Sequence, residues 1–90
     1  MNPVPAKADA YVRLNAFLDA LRGELIAAIQ KHPPMHSPHE GYAVIIEETD
    51  ELWEHVKRDT GRTEDAIKEA MQIAAMGLRY AIDFSQQSTQ

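Results

Sequence analysis

Cysteine is absent from the 90 residues, so neither a disulfide nor a thiolate metal site supports the fold. Glycine occurs only four times, and nowhere in the phosphate-cradling loop of a nucleotide-binding α/β protein. Basic residues are scarce: 9 Lys+Arg stand against 14 Asp+Glu, a formal net charge of -5, and they form no cluster. That argues against a nucleic-acid polymer as the main ligand, and any phosphate ligand would need a cation between it and the acids. No apolar run approaches the ~20 residues of a membrane span. Met1-Asn2-Pro3-Val4-Pro5 also lacks the charged and apolar regions of a secretory signal. The expectation is a soluble, cytoplasmic chain with no membrane partner. At this length a monomer hides only roughly 60–65% of its unfolded surface, so a thin core needs a metal or a partner chain.

Proline, glycine and polar clusters divide the chain into three stretches, each with helical periodicity. Leu14, Leu18, Leu21, Leu25 and Ala28 recur at three- and four-residue spacing and predict a helix from about Lys7 to Lys31, stopped by Pro33-Pro34. Ser37-Pro38-His39-Glu40 opens a second, with Ser37 as cap, Pro38 at the first position and Glu40 closing a capping box. It is expected to run to about Asp59, where Thr60-Gly61 stops it. Thr63 caps a third, with Glu64 and Asp65 on the positive end of its dipole, continuing to about Phe84. No strand alternation and no internal repeat occurs. The reading is a single all-α domain over 1–90, with 1–6 and 85–90 as flexible ends: three helices, including an antiparallel hairpin.

On the second helix Tyr42, Ile45, Ile46, Leu52, Trp53 and Val56 fall within about 60° of one direction, the expected core face. Glu48, Glu51 and His55 make a second stripe, with Glu47 adjoining it. Like charges on neighbouring turns repel by a few tenths of a kcal/mol per pair, and Lys57 and Arg58 come too late to relieve Glu47 or Glu48. The third helix carries only Gln72 and Arg79 as strongly polar residues between Ala70 and Ala81. A helix apolar on all sides must be covered on all sides, and two companions in so short a chain do not suffice, so a second chain is expected on it. Ala74, Ala75 and Gly77 allow close approach there. Asp65, Glu69, Gln72, Arg79 and Asp83 share a polar stripe, from which Glu69 and Gln72 can face Glu48 and Glu51 across an antiparallel interface. Four side-chain oxygens from two helices suit Mg²⁺ or Mn²⁺; a solvated acidic face accounts for the same residues without a metal.

The histidines carry less. His36 and His39 have a spacing open to zinc or nickel, but Ser37-Pro38 breaks the helix between them, and capping or solvated loop residues account for them and His32 equally. His55 lies one turn beyond Glu51. The residue three before it is Leu52, so the Glu-x-x-His of ferritin-like di-iron bundles is absent.

His39 through Trp53, with Glu47-Glu48-x-x-Glu51 at its centre, resembles the first metal-binding helix of the MazG-like all-α nucleoside triphosphate pyrophosphohydrolases. Glu69-Ala70-Met71-Gln72 occupies the place of that family's second motif, Glu-x-x-Asp, and Ile73 to Asp83 resembles the apolar helix that follows, so the likeness spans roughly residues 37–84. The resemblance implies Mg²⁺-dependent hydrolysis, with Mn²⁺ as an alternative, of a (deoxy)nucleoside triphosphate to the monophosphate and pyrophosphate. It also implies a homodimer or homotetramer with a four-helix-bundle-type core. Carried over, Glu48, Glu51 and Glu69 are metal ligands, and Glu47 binds a metal or orients water beside Glu48 at the catalytic centre. Gln72 stands where the motif has aspartate; its amide offers one oxygen to a hard cation but no charge and no base. Lys57 and Arg79 are candidate phosphate contacts, and Tyr80 and Asp83 join them as candidate substrate-binding residues. The alternative is a catalytically inactive helical oligomer, a nucleotide sensor or protein-interaction module, which Gln72 and the short chain favour.

Overall fold

The computed structural model describes residues 4–85, which form three helices and, among these residues, no strand: α1 Val4–Lys31, α2 Pro38–Lys57 and α3 Glu64–Ser85. The chain is all-α. α1 begins at Val4 rather than Lys7, and of the expected flexible ends, residues 1–3 and 86–90 lie outside the described residues. No described helix is long and apolar enough to cross a membrane.

The helix starts follow their caps. Ser37 is extended, and its hydroxyl accepts the Glu40 N–H at 3.1 Å with Pro38 in the first turn. Glu40 Oε1 reaches back to the His36 N–H at 2.7 Å, one residue earlier than the usual capping-box partner. The Thr63 hydroxyl accepts from the Ala66 N–H at 3.3 Å and donates to the Thr60 carbonyl at 2.8 Å. α2 ends differently from expectation. It closes at Lys57, and Asp59, not Gly61, takes the left-handed conformation, with φ 64. The Thr60 N–H bonds the His55 carbonyl at 2.9 Å and the Asp59 N–H bonds Val56 at 3.1 Å, the paired bonds of a Schellman stop. The chain must reverse within residues 58–63, so the left-handed residue comes early. Asp59→Gly is expected to stabilise the protein by about 1 kcal/mol through relief of that backbone strain, which raises the thermal midpoint by roughly 4–8 °C. An unchanged midpoint would show that the aspartate side chain offsets the strain.

α2 lies antiparallel along α3, while α1 touches only α3, and more lightly. The seam on α2 runs through Gly41, Val44, Ile45, Glu48, Leu52 and His55, all buried or half-buried. Tyr42 and Trp53, assigned to the core by periodicity, are 65% and 55% exposed, and Ile46 and Val56 are exposed with them. The cause is Gly41: a Cβ there would stand 2.6 Å from the Tyr80 ring and 3.0 Å from the Met35 sulfur. Glycine lets the two helices meet at that point, and the meeting turns α2 so that its larger apolar residues face outward. α3 correspondingly uses its polar stripe as the seam: Glu69, Gln72 and Asp83 are half-buried and Arg79 is buried.

The connector between α1 and α2 is fastened by Arg79. Its guanidinium donates to the carbonyls of His32 at 3.2 Å and Pro33 at 3.0 Å and pairs with Asp83 at 2.8 Å, while Asp83 accepts the Met35 N–H at 3.0 Å. With Gln72 bonded to Glu24 farther back, these contacts set α1 parallel to α3, with its N-terminal half projecting beyond. Leu25, Ala66 and Ala75 are the buried apolar residues of the described chain. The radius of gyration is 15.9 Å, against about 12 Å for a compact domain of this length.

Candidate metal centre

Glu48 and Glu51 lie one turn apart on α2, and the antiparallel pairing brings Glu69 of α3 against them. Each offers a carboxylate oxygen, and the three lie within 4.8 Å of one another, the one group of three or more His, Cys, Asp or Glu ligand atoms so gathered among the described residues. Glu48 and Glu69 are half-buried and Glu51 is exposed. Burial pushes the Glu48 carboxyl above its ordinary value; the charges of Glu51, Glu69 and Glu47 add to this, and protonated Glu48 also gains a hydrogen bond to Glu51. The arrangement therefore resists holding all its negative charge alone. An all-oxygen, all-carboxylate donor set suits a hard divalent cation such as Mg²⁺ or Mn²⁺ and lacks the nitrogen or sulfur favoured by softer metals. Glu47 is exposed and stands outside the cluster, acting on it through charge.

Gln72, half-buried one turn beyond Glu69, donates its amide Nε2 to Glu24 Oε1 of α1 at 3.1 Å. Its carbonyl oxygen is thereby turned away from that carboxylate. Nothing in the sequence marks Glu24, because a single acid flanking an apolar helical stripe is an ordinary surface residue; only the parallel docking of α1 gives it a partner.

No known protein family, characterised protein or solved structure matches the chain. Gln72→Asp places a second carboxylate against Glu24. It is expected to lower stability without divalent ions by about 0.5 kcal/mol, as like charges on neighbouring positions do, and to tighten Mn²⁺ binding. Unchanged Mn²⁺ affinity would show that position 72 does not face the metal.

The other candidates are more dispersed. Lys57 pairs with Glu54 at 2.8 Å on the exposed side of α2, a bond that holds the Glu54 carboxyl below its usual value. Such a surface pair is weak enough to yield to a phosphate. Arg79 and Asp83 are engaged in the connector clamp, and Arg79 lies ten residues, about 15 Å, along α3 from Glu69. Tyr80 packs on Phe84, ring centroids 4.8 Å apart, and with Pro38, His39 and Tyr42 lines a shallow groove. His32, His36 and His39 are exposed. His55 Nδ1 meets the Thr60 hydroxyl at 3.3 Å; that hydroxyl donates to the His55 carbonyl, so the ring nitrogen is the donor in their contact.

Proposed function

We propose that the chain is a metal-dependent nucleoside triphosphate pyrophosphohydrolase, in which Glu48, Glu51 and Glu69, with the Gln72 carbonyl, hold Mg²⁺ or Mn²⁺, and which acts as a homodimer or homotetramer. The observation that carries this reading is the convergence of the three carboxylates from two helices within 4.8 Å. The MazG-like pattern of Glu47-Glu48-x-x-Glu51 and Glu69 supports it. When bound, divalent ions neutralise the triphosphate and lower the pKa of an attacking water. Water adds to the α-phosphorus, the α–β bridging bond breaks, and pyrophosphate leaves. Glu47, exposed beside the ligands, orients the water, and Lys57 draws the phosphates. Arg79 and Asp83 act at a distance by fixing the connector that closes this end of the molecule.

Pyrophosphate release from a panel of dNTPs and NTPs, with Mg²⁺ and then Mn²⁺, tests the reading against a Glu48→Gln control. Metal-dependent release that is lost in the control is expected; release from no substrate, or without any metal, overturns it. One observation favours the inactive alternative: Gln72 is neutral and its amide is engaged by Glu24. A protein that binds Mn²⁺ and nucleotide but releases no pyrophosphate would be the sensor rather than the enzyme.

A further inference from the structure

We infer that Glu24 of α1 is a positioning residue for the metal centre: it holds the Gln72 amide by its nitrogen and so presents the Gln72 oxygen to the cation. This rests on the metal-binding part of the proposed function and extends it to a helix that supplies no ligand. Glu24 Oε1 accepts from Gln72 Nε2 at 3.1 Å. An ionised carboxylate accepts and does not donate, so the amide meets it through the nitrogen, and the oxygen, at the other end of a planar group, is directed away from it. Gln72 follows Glu69 by one turn of α3, a spacing that makes their side chains neighbours, and both are half-buried. Glu69 in turn meets Glu48 and Glu51 of α2, with carboxylate oxygens within 4.8 Å of one another. α1 and α2 both pack on α3, and Gln72 stands between them with its nitrogen taken up on the α1 side.

The need for such a residue comes from the amide itself. A carboxylate offers a cation two equivalent oxygens and binds whichever way its plane turns, whereas an amide offers one oxygen and one NH₂ that repels the ion. Position 72 carries the amide, so one of its two flips is unproductive. A bond to Glu24 selects the other. By drawing on the N–H, that bond also raises the electron density on the oxygen, as a group placed behind a metal ligand does. Glu24 is suited to this role and not to direct coordination, because it is exposed and stands outside the three gathered carboxylates. The cleft of about 390 Å³ that Glu24 and Gln72 border is otherwise lined by apolar residues and by Lys31 and His32. No second acid lines it, so without Glu24 the amide has no carboxylate to fix its nitrogen.

Mn²⁺ affinity, read from the electron paramagnetic resonance of the free ion, tests this in four proteins: wild type, Glu24→Ala, Gln72→Asp and the double variant. Glu24→Ala should weaken Mn²⁺ binding about tenfold, the lower end of what losing a residue that orients a ligand costs. The metal-free melting temperature should hardly move, as for other exposed side chains. In the Gln72→Asp background the same substitution should cost no more than about twofold, because a carboxylate needs no orienting and the two changes are then coupled. An equal loss in both backgrounds would mean that Glu24 acts through its charge, and no loss in either that it is a surface residue and nothing more; each overturns the positioning role and leaves the metal centre standing. A wild type that binds no Mn²⁺ overturns the metal centre and the positioning role together.

Discussion

Arg79→Met is expected to remove about 3 kcal/mol of stability, the lower end of the cost of leaving one member of a buried ion pair without its partner. Arg79 and Asp83 side chains are each 6% exposed, so water does not replace the missing guanidinium. For a chain of this size, total stability is on the order of 4–13 kcal/mol, and the loss is a large part of it. With an m-value of about 1 kcal/mol/M in urea, the midpoint should fall by about 3 M. The Met35 N–H remains on Asp83 and keeps the cost from rising further. Arg79→Met combined with Asp83→Leu should recover part of the loss, because no buried charge is then left alone, while the Met35 N–H loses its acceptor and keeps the recovery incomplete. A single variant within 0.5 kcal/mol of wild type would mean that the connector is held by other contacts.

Arg79 and Asp83, candidate substrate contacts from the sequence, are engaged in this clamp in the structure. From spacing alone they continue the polar stripe of Glu69 and Gln72, and a cation plus an acid near a nucleotide site reads as a substrate contact. Their actual neighbours, the His32 and Pro33 carbonyls and the Met35 N–H, are backbone groups more than forty residues away, and periodicity carries no information about them. What was legible is what local chemistry decides: Ser37 and Thr63 as caps, the three helices, and Glu48, Glu51 and Glu69 on facing surfaces. What was not legible depends on which of several apolar faces a helix turns to its neighbour. α2 has two such faces, and the contact between Gly41 and Tyr80 selects the one that includes Glu48. Periodicity groups Tyr42 and Trp53 with Ile45 and Leu52 on one apolar face, and the seam against α3 covers only the Ile45 and Leu52 edge of it.

Glu48→Gln is expected to move stability in opposite directions with and without divalent ions. In the metal-free protein the folded-state carboxyl of Glu48 lies above its ordinary value because of burial and of Glu51, Glu69 and Glu47. The folded protein therefore binds a proton more tightly than the unfolded chain between those two values, and stability falls as pH rises from the ordinary carboxylate range through the folded-state value. Glutamine removes that dependence. At neutral pH the metal-free variant should be more stable than wild type and its stability flatter in mildly acidic solution. With Mn²⁺ at a hundredfold excess over its dissociation constant, wild type should gain about 2.7 kcal/mol by linkage, a rise of roughly 10–20 °C in Tm for a domain of this size; the variant, with one carboxylate fewer, should lose most of that rise. Thermal melts across pH 4–8, each with and without Mn²⁺, read both effects. A metal-free variant less stable than wild type would show that the Glu48 charge is satisfied without a cation. A Mn²⁺-dependent rise that survives the substitution would place the metal elsewhere. The joint outcome, more stable without metal and less responsive to it, is what three carboxylates held together for a cation rather than for the fold should give.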